Sequence, residues 1–276
     1  MNFLRAFLRN RGAVVGLLIL LLVGLLAALA PLRFPFSPWD MQGAPFAPPG
    51  QEGFLLGSDS LGRDVAADIA YGASVSLLIG AVSTVAGLAI GVTLGAVAGY
   101  AGGMVDDAIM RLTEFFQTVP SFILAVVLVA IFTPHLSSIV VAIAVVSWPP
   151  VTRVVRAEFM TLRTREFVQA AEVLGRSRTA IVFHEILPNA LSPIIVLASL
   201  MVASAILLES ALSFLGLGDP NLMSWGFMIG AGRSVIRLAW WMSVFPGLAI
   251  FLTVLALNLV GDGLNDALNP RVAPRR

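Results

Sequence analysis

Residues 73–100 read ASVSLLIGAVSTVAGLAIGVTLGAVAGY, 28 positions without a formal charge. About 20 mostly apolar residues in an α-helix cross the roughly 30 Å hydrocarbon core of a bilayer, so this stretch predicts a membrane span. Working outward, charge-poor runs predict five more, at residues 13–30, 115–132, 136–149, 190–214 and 240–260. The third and fourth belong to one run without formal charge, split by Thr133-Pro134-His135-Leu136-Ser137-Ser138, a turn signal. Six spans place both termini on one side. The expected fold class is therefore an all-α integral membrane protein with six transmembrane helices.

Composition agrees. The 276 residues are 58% apolar and only 12% charged, where soluble domains sit near 45–50% and about 25%. A soluble globular enzyme is excluded. A net charge of +1 leaves no basic footprint for nucleic acid. There is no Cys, hence no disulfide, thiolate nucleophile or Cys-ligated metal. All 17 basic residues are Arg, so the lysine of a phosphate-binding P-loop is missing and ATP hydrolysis is not expected on this chain. His135 and His184 are too far apart for a histidine metal cluster, and His184-Glu185 lacks the second His of a zinc-protease motif. No metal or cofactor is expected.

Arginine decides the orientation. Thirteen of the 17 fall on the side that holds both termini, and only Arg33, Arg63, Arg233 and Arg237 on the other. Positive charge collects in cytoplasmic loops, which predicts N-in, C-in. Trp39, Trp225, Trp240 and Trp241 fall near the expected outer boundaries, where interfacial aromatic anchors sit. The first span is read as an uncleaved anchor. Its rival is a signal peptide ending at Ala28-Leu29-Ala30, against which the 18-residue apolar run is long. The proline-rich stretch 31–68 reads as an extended extracytoplasmic linker.

The longest inner loop, 153–188, contains EFVQAAEVLG (Glu166 to Gly175) and ends in Leu187-Pro188. Phe167, Ala170, Ala171 and Leu174 share a helix face, with Glu166, Gln169 and Glu172 opposite. Gly175 is a helix stop and Pro188 a helix start. The expectation is two short helices bent at a glycine; a solvated surface pair is the plain alternative. In the second span, Ser83, Gly87, Gly91, Gly95 and Gly99 recur every four residues, spacing that suits close helix packing. Glu209 is the one acid inside an expected span, near its outer end, and reads as a hydrogen-bonded outer-gate residue.

These segments resemble a known family. Gln169-Ala170-Ala171 with Gly175 and Leu187-Pro188 is similar to the EAA loop of permease subunits of binding-protein-dependent ABC importers. LGSDSLGRD (56–64), ESALSFLGLG (209–218), SWG (224–226) and NLVGDGLNDALNPR (258–271) resemble segments of the C-type permease of the dipeptide/oligopeptide/nickel subfamily. Gln169 stands where that pattern has Glu, Asn265 and Asn269 where it has Arg and Asp, and Phe54 where His is frequent. The resemblance implies a type I importer fold in a prokaryotic inner membrane. It also implies an N-terminal anchor and linker (1–72), then a five-helix core (73–276) whose loop couples to a separate ATPase. Implied partners are a second permease subunit, two ATPase subunits and an extracytoplasmic solute-binding protein. The competing class is a self-sufficient secondary transporter, which usually shows an internal repeat and midplane charges; neither is seen.

Overall fold

A computed structural model describes residues 3–268, and every element in that range is helical. Asn269, Pro270, Arg271, Arg275 and Arg276, which entered the motif and charge readings, lie outside the described residues. A short α1 (Phe3–Arg9) leads into α2 (Arg11–Arg33), capped by Asn10, whose side chain accepts a hydrogen bond from the Ala13 N–H. α3 (Val65–Ala101) follows, capped likewise by Asp64. Then come α4 (Gly103–Thr118), α5 (Ser121–Phe132), α6 (Leu136–Leu162), α7 (Glu166–Val173) and a three-residue α8 (Arg178–Ala180). A π-helical turn, Ile181–Ile186, runs directly into α9 (Leu187–Phe214). α10 (Trp225–Gly232) and α11 (Trp241–Leu268) complete the chain. Five helical stretches are long and apolar enough to cross a bilayer, and the α4–α5 pair makes a sixth if counted as one broken span.

Contacts between helix ends fix the relative sides. The Asn10 amide donates to Asp266 at 2.9 Å, so the start of α2 meets the end of α11. Tyr71 donates to the Phe34 carbonyl at 2.8 Å, joining the end of α2 to the start of α3. Arg163, just past α6, donates to the Gly99 and Tyr100 carbonyls and so caps the opposite end of α3. α3 and α6 therefore run in the same direction, antiparallel to α2, with the α4–α5 pair returning the chain between them, and the start of α2 lies on the same face as the end of α11.

Four expectations need correction. The third span is not one helix over 115–132: α4 and α5 meet at 83°. Pro120 has no N–H and keeps Val119 extended (φ −89°, ψ 127°), which breaks the helix there. The fourth span does not stop at Pro149; α6 continues through Pro149-Pro150 for 27 residues, about 40 Å. Arg153 and Arg156 are therefore helical, and the inner loop begins at Arg163. The stretch 31–68 is not an extended linker. Asp59 accepts hydrogen bonds from the Leu61 and Arg63 N–H groups and pairs with the Arg63 guanidinium, folding the chain into a cap. α3 starts within this stretch, at Val65, and buries Asp68, so Glu209 is not the only acid in a long helix. Finally, Trp225 and Trp241 are buried rather than facing lipid. Each donates its indole N–H to a backbone carbonyl, Ile69 and Ser58 respectively.

Candidate functional site

On the inner face the chain makes an elbow. α7 turns its Val168 and Ala171 inward, where they pack with Ile181 and Ile186. Gly175 ends it in the left-handed region (φ 73°), with its N–H on the Glu172 carbonyl and the Arg176 N–H on that of Ala171. The expected stripe of Phe167, Ala170, Ala171 and Leu174 is divided by the fold. Ala171 joins the core, while Phe167, Ala170, Val173 and Leu174 remain exposed, Val173 at 88% and Leu174 at 81%. Glu166, Gln169 and Glu172 are exposed as well. The second short helix does not stand alone: Arg178 to Phe214 is one helical run. Pro188 lies just inside α9 and cannot supply an α-helical N–H to His184. The preceding turn takes i→i+5 spacing instead, with the Leu187 N–H on the Val182 carbonyl.

Behind the elbow, polar groups hold its base. The Arg156 guanidinium grips Asp106 of α4 through two nitrogens, and Arg176 pairs with Glu185 across the bend. The small-residue row of α3 faces α6. A Cβ added at Gly95 would lie 2.7 Å from the Thr152 carbonyl, and one at Gly99 would lie 2.6 Å from the Phe159 Cβ. Gly91 is pressed equally closely on Val151 and Trp148, and Gly87 more loosely on Met201. Ser83 is fully buried.

On the outer face, Glu209 is 1% exposed near the end of α9. Its Oε1 accepts from Ser213 at 2.8 Å and from Ser224 at 2.7 Å. Ser224 is also the N-cap of α10, accepting from the Phe227 N–H. The next residue, Trp225, gives its backbone N–H to Ser76 of α3. One carboxylate therefore latches α10 to α9, and the neighbouring peptide latches it to α3. Gly226 permits the close approach: a Cβ there would meet the Ser210 Cα at 2.6 Å.

Residues 91–274 match the family described as binding-protein-dependent transport system inner membrane component, and residues 2–49 match the N-terminal TM domain of oligopeptide transport permease C. The chain belongs to this permease family. The permease is 43% identical to the di/tripeptide transport system permease protein DppC of Pseudomonas aeruginosa, over 98% of this chain and 92% of the relative. It is 38% identical to the oligopeptide transport system permease protein OppC of Escherichia coli, over 97% and 89%. A chain of the MetNI methionine ABC transporter, solved in inward-facing conformations, superposes with a TM-score of 0.62 at 18% identity, covering 73% of the permease and 96% of that chain. The fold is accordingly that of type I ABC importer permeases.

Three features of the permease escaped the sequence reading. Asp106–Arg156 and Arg163–Tyr100 join residues 50 and 63 positions apart, a separation no local pattern encodes. His135, part of the turn signal, stands at the N-cap position of α6, and Asp219 from a distant loop supplies the capping carboxylate. That carboxylate accepts from the Leu136 N–H at 2.9 Å and lies 3.5 Å from the His135 ring. Burial opposes its charge, but the N–H groups of Asn221 and Leu136, with His135 nearby, outweigh it and hold the carboxyl below the ordinary carboxylate range.

Proposed function

We propose that this permease forms half of the translocation pathway of an ATP-driven importer for di- or oligopeptides in a prokaryotic inner membrane. Its complement would be a second homologous permease subunit, two ATPase subunits and an extracytoplasmic solute-binding protein. ATP would be hydrolysed on the partner ATPases. The substrate class rests on the peptide-transport names of the relatives at 38–43% identity. The anchor and outer cap precede α3, and the helices from α3 (Val65–Ala101) onward would form the pore-forming part.

One observation carries the coupling role: an exposed apolar flank, Phe167, Ala170, Val173 and Leu174, on an elbow of a chain that has no lysine. Exposed apolar residues in a contiguous patch mark an interface, and the Arg-rich side where this one lies faces the cytosol by the positive-inside rule. Glu166, Gln169 and Glu172 border the flank and supply its polar rim. With Gln169 in place of a carboxylate, Glu166 and Glu172 hold the charges available to an ATPase cleft. Closure of the two ATPases would draw the paired elbows together. α9 would carry the movement about 40 Å to the outer face, where Glu209 ties it to α10. This is switching of a bistable packed interface. No bond to the solute is made or broken by it.

Ala170→Trp tests this reading, because Ala170 is exposed on α7 and the change leaves the elbow's own core untouched. The assembled complex is expected to insert normally while losing solute-stimulated ATP hydrolysis in liposomes. Gly175→Pro, incompatible with φ 73°, is expected to do the same. Full stimulation in both variants would remove the elbow from the coupling path.

A further inference from the structure

Behind α7, on the flank away from Phe167 and Leu174, lies a cavity of about 770 Å³. That is within the range of roughly 300–1,000 Å³ typical of small-molecule sites. Its chemistry is graded along the membrane normal. The wall set into the spans is apolar: Val92 and Ala96 of α3, Phe159 of α6 and Leu187 at the start of α9. Thr93, deepest of the lining hydroxyls, is spent on its own helix, donating to the Ala89 carbonyl at 2.7 Å, and the Tyr100 phenol lies further towards the mouth. The mouth is polar, formed by Arg163, Thr164, Gln169, Glu172 and Arg178. From Val92 to Ala101, the last residue of α3, the cavity follows the helix for about 13 Å.

Two guanidinium groups oppose one carboxylate at the mouth. Arg163 commits only Nη1 to the end of α3, leaving its other nitrogens to donate. Arg178 is exposed and makes no side-chain hydrogen bond among the described residues. A ligand that satisfies this layout has an anionic group at the cytosolic boundary and a hydrocarbon part in the bilayer. We propose that the cavity binds an anionic phospholipid of the cytoplasmic leaflet, its phosphate between Arg163 and Arg178 and its acyl chain along Val92, Ala96 and Leu187. Glycerol hydroxyls of such a headgroup would donate to Glu172. The bound lipid would brace α7 from the membrane side, on the flank opposite its exposed apolar residues. The site is independent of which solute is carried.

The test uses the assembled, delipidated transporter, titrated with palmitoyl-oleoyl phosphatidylglycerol and followed by native mass spectrometry. One saturable site per copy of this chain is expected, with phosphatidylcholine of the same chains binding much more weakly. Arg178→Ala should weaken phosphatidylglycerol about tenfold, the loss of one charge-assisted contact. Ala96→Phe, which fills the apolar end, should weaken it as well. Soluble glycerol phosphate should not compete, since it lacks the hydrocarbon part. Unchanged affinity in both variants overturns the proposal. So does competition by glycerol phosphate, equal binding of the two lipids, or a structure of the complex in which a partner chain fills the cavity.

Discussion

Glu209 and Asp219 show how single carboxylates organise the outer face. Glu209 is buried where an unpartnered carboxyl would be costly, and it is tolerated because three serine hydroxyls donate to it, Ser213 and Ser224 to Oε1 and Ser210 to Oε2. Glu209→Gln keeps an accepting oxygen for those hydroxyls but puts an NH2 donor in place of Oε2, which accepts from Ser210 at 3.4 Å. Transport is expected to fall modestly, about twofold to tenfold, with assembly intact. Complete loss of transport in a correctly assembled variant would make the carboxylate a proton carrier instead. Asp219 works through α6, whose first N–H, that of Leu136, it satisfies. Its folded-state pKa is depressed, so its stabilisation is present above about pH 4, the unfolded carboxylate value, and disappears as pH falls through the folded value. Thermal denaturation of wild type and Asp219→Asn in detergent should therefore differ clearly at pH 5 and converge as the pH falls below about 4. A difference that persists undiminished at pH 2–3 would exclude the carboxylate's charge as its source.

Among the elements, the α3–α6 pair sets the tightest constraint. Four-residue spacing of small residues announces one helix face, and this much was legible from Ser83 to Gly99. The partner was not, because Trp148, Val151, Thr152 and Val155 carry no pattern that names α3. Gly95→Leu would drive a side chain into the Thr152 carbonyl. Overpacking of this kind costs about 1–3 kcal/mol or more, so the purified complex should melt several degrees lower or fail to assemble. A variant of wild-type stability would mean that the two helices are not in this contact. Helix ends were read less well than helix existence. Pro120 breaks a helix while Pro149, Pro150, Pro188 and Pro193 do not. Proline removes one donor everywhere, and whether the helix survives depends on whether neighbours can accommodate the freed carbonyl. At Pro188 a π-turn does so; at Val119-Pro120 the chain turns by 83° instead.

Across the whole molecule, orientation is the property most open to a clean measurement, because the native sequence contains no Cys. A single Cys introduced at Ser177, exposed on the elbow, should react with an impermeant maleimide only in inside-out vesicles. One at Gln51, exposed in the outer cap, should react only in right-side-out preparations. The reverse pattern would place the elbow outside the cell and end the coupling account. Counting apolar residues and Arg was enough to read about six candidate spans and an Arg-rich side. Those properties depend on the free energy of moving each segment from water into hydrocarbon, which is a sum over local composition. The elbow's glycine stop was local in the same way, since φ 73° suits a residue without a Cβ. What only the tertiary structure decided is which flank of α7 stays exposed, how the 31–68 stretch folds into a cap, and that Trp225 and Trp241 are buried. The burial of the two tryptophans shows the cause most plainly, since it is set by contacts between residues more than a hundred positions apart, such as Trp241 with Ser58 and Trp225 with Ile69. The energy of such a contact exists only once the helices have assembled.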